Sequence, residues 1–112
     1  MSFHQAVLGR TGRPVCRLGI ASGYGVPTAA VEAAVERGVN YLYYGSRRTA
    51  AFSQALRNVK SRRDGLVVVV QSYSRLGRLI PWSIEQGLAK AGLDYFDVLL
   101  LGMWNKPLPP RI

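Results

Sequence analysis

Ala91-Gly92-Leu93-Asp94-Tyr95-Phe96-Asp97-Val98-Leu99-Leu100-Leu101-Gly102 reads as the end of a helix, a short loop and a fully buried strand. Gly92 is the stop signal, because glycine enters the left-handed conformation that ends a helix without steric penalty. Val98–Leu101 is apolar without alternation, as expected of a strand covered on both faces. The helix ending at Gly92 begins near Pro81, whose ring suits a first turn, and Ile84, Leu88 and Ala91 form its apolar stripe. Upstream, Leu66–Val70 is a second continuous apolar run and predicts another buried strand. Ala50–Val59 predicts a helix with Phe52, Ala55, Leu56 and Val59 on one side, and Val39–Tyr44 an aromatic-rich strand. Thr28 is placed to cap a helix that runs to about Arg37 and stops at Gly38, with Val31, Ala34 and Val35 inward. Leu18–Ala21 is a short strand. Val7-Leu8 and Val15-Cys16 flank Gly9–Pro14 as a hairpin. Strands alternating with helices at this spacing predict right-handed crossovers and a parallel sheet. The pattern alone leaves a barrel portion and a small open α/β sheet both open.

The chain has 112 residues, enough for one small domain or a piece of a larger one. A complete (β/α)8 barrel needs about 250 residues. The 48% hydrophobic content is that of a folded domain. No apolar run approaches the length of a membrane span, and the N-terminal Met1-Ser2-Phe3-His4-Gln5 has no signal pattern. Cys16 is the only cysteine and cannot form an internal disulfide, so a cytoplasmic, reducing location is expected. It reads as a small packing residue. The formal charge is +9, from 15 Lys+Arg against 6 Asp+Glu, which suits anionic ligands or nucleic acid. The densest cluster, Arg57–Arg63, reads as a solvated helix end rather than a nucleic-acid patch.

Four phrases in order resemble the aldo-keto reductase family. Leu8–Gly19 resembles its opening hairpin and first strand, and Glu36-Arg37-Gly38-Val39-Asn40-Tyr41 the passage from first helix to second strand. Arg63-Asp64-Gly65-Leu66-Val67-Val68 resembles the approach to its third strand, and Leu93–Leu101 its fourth. The resemblance runs from about Val7 to Asn105. It implies an α/β fold made of an N-terminal hairpin and the first four strands of a (β/α)8 TIM barrel, incomplete in this chain. The expected organisation is a single partial barrel domain over 1–112, with βα units over 17–105 and a Pro-rich tail over 106–112.

The resemblance also implies NADP(H)-dependent carbonyl reduction. In that chemistry a tyrosine protonates the developing alkoxide, a lysine lowers its pKa, an aspartate holds the lysine and a histidine orients the carbonyl. These groups sit at the C-terminal rim of the barrel. Carried across by position, the aspartate falls on Tyr43, the tyrosine on Arg48, the lysine on Gln71 and the histidine on Gly102. None of the four matches. The glycine-rich Gly19–Gly25 segment lacks the spacing of a dinucleotide fingerprint and reads as a flexible loop. The expectation is a reductase-like chain that is truncated and catalytically impaired, a pseudoenzyme that binds NADP(H) poorly by itself.

Tyr44, Arg47, Tyr73, Arg75 and Trp104 are expected to form an arginine-and-aromatic rim where the strands end. Such side chains suit anionic or planar ligands. Two other roles compete with the reductase reading. One is a non-catalytic module that binds an anion or nucleic acid at this rim. The other is a half-barrel that associates with itself or another chain through the open edges of its first and fourth barrel strands. No membrane partner and no metal site are expected.

Overall fold

Val67-Val68-Val69-Val70 is the stiffest stretch of the chain, and it forms the centre of the sheet. The computed structural model describes residues 4–45 and 47–112. Met1, Ser2 and Phe3, on which the reading of the N-terminus partly rests, lie outside the described residues, as does Ser46. The elements in order are β1 (Gln5–Val7), β2 (Pro14–Cys16), β3 (Ile20–Ala21), α1 (Thr28–Glu36), β4 (Tyr41–Tyr44), α2 (Ala50–Asn58), β5 (Val67–Ser72), α3 (Ile80–Ala91) and β6 (Val98–Leu101). Short 3₁₀ turns occupy Ser22–Tyr24, Lys60–Gly65 and Gly77–Leu79. β1 and β2 form an antiparallel hairpin. β3, β4, β5 and β6 form one parallel sheet in that order.

Register decides which residues share a face. Leu42 lies beside Val68 and Tyr44 beside Val70. These four pack with Val31, Val35, Phe52, Ala55 and Leu56 into the core between the sheet and its helices. The alternate residues Tyr43, Val69 and Gln71 face the other way, with Leu100 beside Gln71. The hairpin closes the lower, N-terminal end of this inner face. Asn40 is its clasp: its Oδ1 accepts the Cys16 N–H at 2.8 Å and its Nδ2 donates to the Pro14 carbonyl at 2.8 Å.

Asp97 ties the lower end together. Its carboxylate meets Arg63 at 2.9 Å and Arg13 at 3.2 Å, and it accepts the Val68 N–H at 2.8 Å. Arg63 is buried, donates to the Leu66 and Tyr95 carbonyls, and lies 3.8 Å from the centre of the Tyr95 ring. The Arg57–Arg63 cluster is therefore not simply a solvated helix end. Its last member is folded inward because Asp97 supplies the counter-charge that burial demands.

Three local expectations are revised. Thr28 does not cap α1; Pro27 precedes the helix and the Thr28 hydroxyl donates to the Ala51 carbonyl at 2.8 Å, tying α1 to α2. β5 runs on to Ser72, because hydrogen bonding to β6 carries the sheet past the valine run. β6 is not fully buried: it is the edge of the sheet, and Leu99 and Leu100 on its two faces are 40% and 44% exposed. At the other end of the segment Gly92 has φ of 66° and its N–H bonds to the Leu88 carbonyl, so the helix stop is where the sequence puts it.

Candidate functional site

Parallel strands deliver their C-terminal ends to one rim, so residues far apart in sequence meet there. β4 brings Tyr43, β5 brings Gln71 and extends to Tyr73, and β6 brings Gly102, whose N–H donates to the Ser72 carbonyl at 2.8 Å. The Tyr43 hydroxyl donates to Gln71 Oε1. A Cβ added at Gly102 would overlap the Gln71 amide and stand 2.8 Å from Tyr73 Cε1. Three of the four positions aligned with the reductase tetrad therefore converge in space. They offer a phenol, a carboxamide and a position without a side chain. The fourth, Arg48, is exposed on the β4–α2 loop in a left-handed conformation with φ of 53°.

The Tyr43 phenol is pushed above its ordinary pKa. Burial is the main cause, since desolvation penalises the phenolate, and the neighbouring Tyr73 and Tyr24 phenols add to it. Its one hydrogen is engaged by a neutral amide, which does nothing to stabilise the anion. An acid used near neutral pH needs a shift in the opposite direction. Among the described residues no cluster of His, Cys, Asp and Glu could hold a metal ion.

Above Tyr43 and Tyr73 a groove of about 610 Å³ opens, bordered also by Tyr24, Arg47 and Met103. Arg47 and Tyr73, both named from the sequence, are thus brought to one site. Arg75 and Trp104 form a pair beside it, the guanidinium lying 4.4 Å from the centre of the indole ring. Arg75 also donates to the Met103 carbonyl at 2.6 Å, which holds Met103 at an uncommon φ of 64°. Tyr44 is not on this rim. It is 3% exposed on the opposite face, packed with Phe52 and Phe96, its hydroxyl 2.8 Å from Ser53 Oγ. Alternation explains the difference: neighbours in a strand point to opposite faces, so Tyr43 and Tyr44 cannot both face the groove. Tyr24 was missed because it lies in a glycine-rich stretch that reads as loop. The clue was position, since the segment leaves the C-terminal end of a strand.

No family model matches this sequence, and no curated protein matches it. Solved structures do. The aldose reductase of Giardia lamblia superposes with a TM-score of 0.68 at 18% identity, over 76% of this chain and 32% of that one. The aldo/keto reductase of Brucella melitensis superposes with a TM-score of 0.71 at 18% identity, over 90% of this chain and 41% of that one. The chain therefore has the fold of part of an aldo/keto reductase barrel and spans less than half the length of either structure. Among the described residues no helix is long and apolar enough to cross a membrane.

Proposed function

We propose that this chain is an aldo-keto-reductase-like barrel portion that does not reduce carbonyls and keeps the barrel mouth as a binding groove for a small planar anion. One observation supports this reading: Tyr43, Gln71 and Gly102, the positions that the resemblance aligns with the tetrad, bond to or pack on one another instead of presenting an acid. Reduction at a carbonyl needs a proton for the alkoxide as the hydride arrives. Tyr43 holds its proton more tightly than a free phenol, and among the described residues no ammonium stands beside it to reverse that.

The residues of the groove do not fit NADP(H). Its phosphates need several cationic or backbone N–H partners together. The groove supplies aromatic faces and the single guanidinium of Arg47, with Arg75 already engaged by Trp104 and Met103. That donor set suits one planar ring carrying one anionic group: the ring against Tyr24, Tyr43 or Tyr73, the anion toward Arg47.

The test is a pair of titrations on the purified chain. NADPH, followed by nicotinamide fluorescence with 4-nitrobenzaldehyde as carbonyl acceptor, is expected to show neither saturable binding nor turnover. Benzoate and phenyl phosphate, followed by tyrosine fluorescence, are expected to bind, and Arg47→Gln to weaken both. Saturable NADPH binding with turnover sinks the non-reducing half of the proposal. Benzoate affinity unchanged by Arg47→Gln sinks the groove. Salt-sensitive binding of an oligonucleotide that displaces benzoate points instead to nucleic acid.

A further inference from the structure

Where β4 and β5 end beneath α3 lies a second cavity, of about 300 Å³, which meets the groove at Gly45 and Tyr73. Its floor is Tyr44 and Val70, which are register partners on the helix-covered face. Its α3 wall includes Trp82, Ser83, Gln86 and Lys90. Among the described residues it is formed by the ends of β4 and β5, by Gly45 and Thr49 of the loop that follows β4, and by α3. We propose that it is a ligand site, adjoining the groove at the barrel mouth but with its own wall on α3, for an aromatic ring joined by a short linker to one anionic group.

The space has a steric origin. Gly87 lets α3 seat closely on Phe96: a Cβ there would meet that ring at 3.3 Å. One turn earlier, Ser72 and Ser83 face each other across the interface, and two such small side chains leave the volume unfilled. Their hydroxyls are 3.4 Å apart, near the limit of a hydrogen bond. Ser72 is 3% exposed and its hydroxyl oxygen also accepts the Ser74 N–H at 3.3 Å, so both of its contacts are long and an acceptor at closer range would compete for its hydrogen.

Ligand class follows from the wall. Trp82, Gln86 and Lys90 recur every fourth residue and so lie in line along α3, spanning about 12 Å. Trp82 is 60% exposed, a large aromatic face left open at the mouth. Among the described residues Lys90 is the one charged member of the lining, and none carries a carboxylate. An aromatic ring placed at Trp82, with an anion reaching toward Lys90 and an acceptor within reach of Ser72 or Gln86, uses the whole line. A cavity of this size is at the small end of ligand pockets and excludes a dinucleotide.

The experiment is a titration of isotope-labelled chain with 3-phenylpropionate, read by amide and indole N–H chemical shifts, with 3-phenylpropan-1-ol as the uncharged control. The Trp82 indole and the Ser72, Ser83 and Gly87 amides are expected to shift together and saturate, while Gly23 and Met103 at the groove stay still. Lys90→Gln is expected to weaken binding about fivefold, the scale of one partly exposed charge contact, and the alcohol by a similar factor. Shifts confined to Gly23 and Met103 overturn the proposal in favour of the groove alone. Absence of saturable shifts at millimolar ligand overturns it outright. Equal affinity of the Lys90→Gln variant overturns the anionic class.

Discussion

Gly102→Ala tests whether three distant strand ends really meet. The perturbation is one methyl group. Its carbon would overlap the Gln71 amide and stand 2.8 Å from the Tyr73 ring. The Gln71 side chain must turn away, and its bond from the Tyr43 hydroxyl is lost. Overpacking of this kind costs about 1–3 kcal/mol, and a half-buried side-chain hydrogen bond about 1 kcal/mol. Against that, alanine loses less backbone freedom than glycine on folding, a gain of about 0.4–1 kcal/mol. The net expectation is a loss of about 2 kcal/mol, measured by urea unfolding with far-UV circular dichroism. The decisive measurement is the cycle with Gln71→Ala. Once the amide is gone only the Tyr73 ring, half exposed and able to turn aside, stands against the methyl, so Gly102→Ala should then be close to neutral. A coupling of about 2 kcal/mol is expected between residues that lie at the ends of neighbouring strands. Additivity within about 0.5 kcal/mol refutes the convergence, and with it the main support for a non-reducing site.

Three further outcomes follow from the same geometry. Asp97→Ala is expected to lose about 3–5 kcal/mol in urea unfolding, because Arg63 is left buried and uncompensated, whereas Arg13→Ala, which removes a partly exposed partner, loses about 1 kcal/mol or less. Since the Tyr43 pKa is raised above 10.0 in the folded chain, the folded state keeps a proton that the unfolded state releases. Stability is therefore held below about pH 10 and falls as pH rises through the folded value, and Tyr43→Phe should remove that part of the alkaline slope; an identical slope in the variant contradicts the assignment. The half-exposed Leu99 and Leu100 on edge strand β6 predict concentration-dependent association in sedimentation, strengthened by salt because copies of charge +9 repel, and abolished by Leu100→Lys. A monomer at every concentration and ionic strength counts against it.

The order of strands and helices was legible because each element carries its own period and its own stop. Pro81 and Gly92 bracket a helix by backbone chemistry alone, and the run at Val67–Val70 has no competing reading. What could not be read was anything decided by a distant partner. β6 looks buried because its composition says so, yet burial depends on what lies beyond the edge. Arg63 looks solvated until Asp97, brought up by a different strand, supplies its counter-ion. Tyr43 and Tyr44 look equivalent in sequence and lie on opposite faces. The convergence at the barrel mouth was legible only in outline. The resemblance marks the positions, but that Tyr43 bonds to Gln71, and that their neighbour must be glycine, is a matter of side-chain volume.

One short segment holds both ends of this contrast. Asp97 stands at the lower end of β6 and Gly102 just past its upper end. Asp97 holds two arginines and a strand N–H in a nearly dry setting, where a change of one partner strands a charge. Gly102 faces side chains that border an open groove, where a change of charge can be solvated. The lower end therefore constrains residue identity through a buried charge, and the upper end through side-chain volume and what the groove binds. Tyr43, Gln71 and Gly102 answer to one another's volume, whereas Asp97, Arg63 and Arg13 answer to charge.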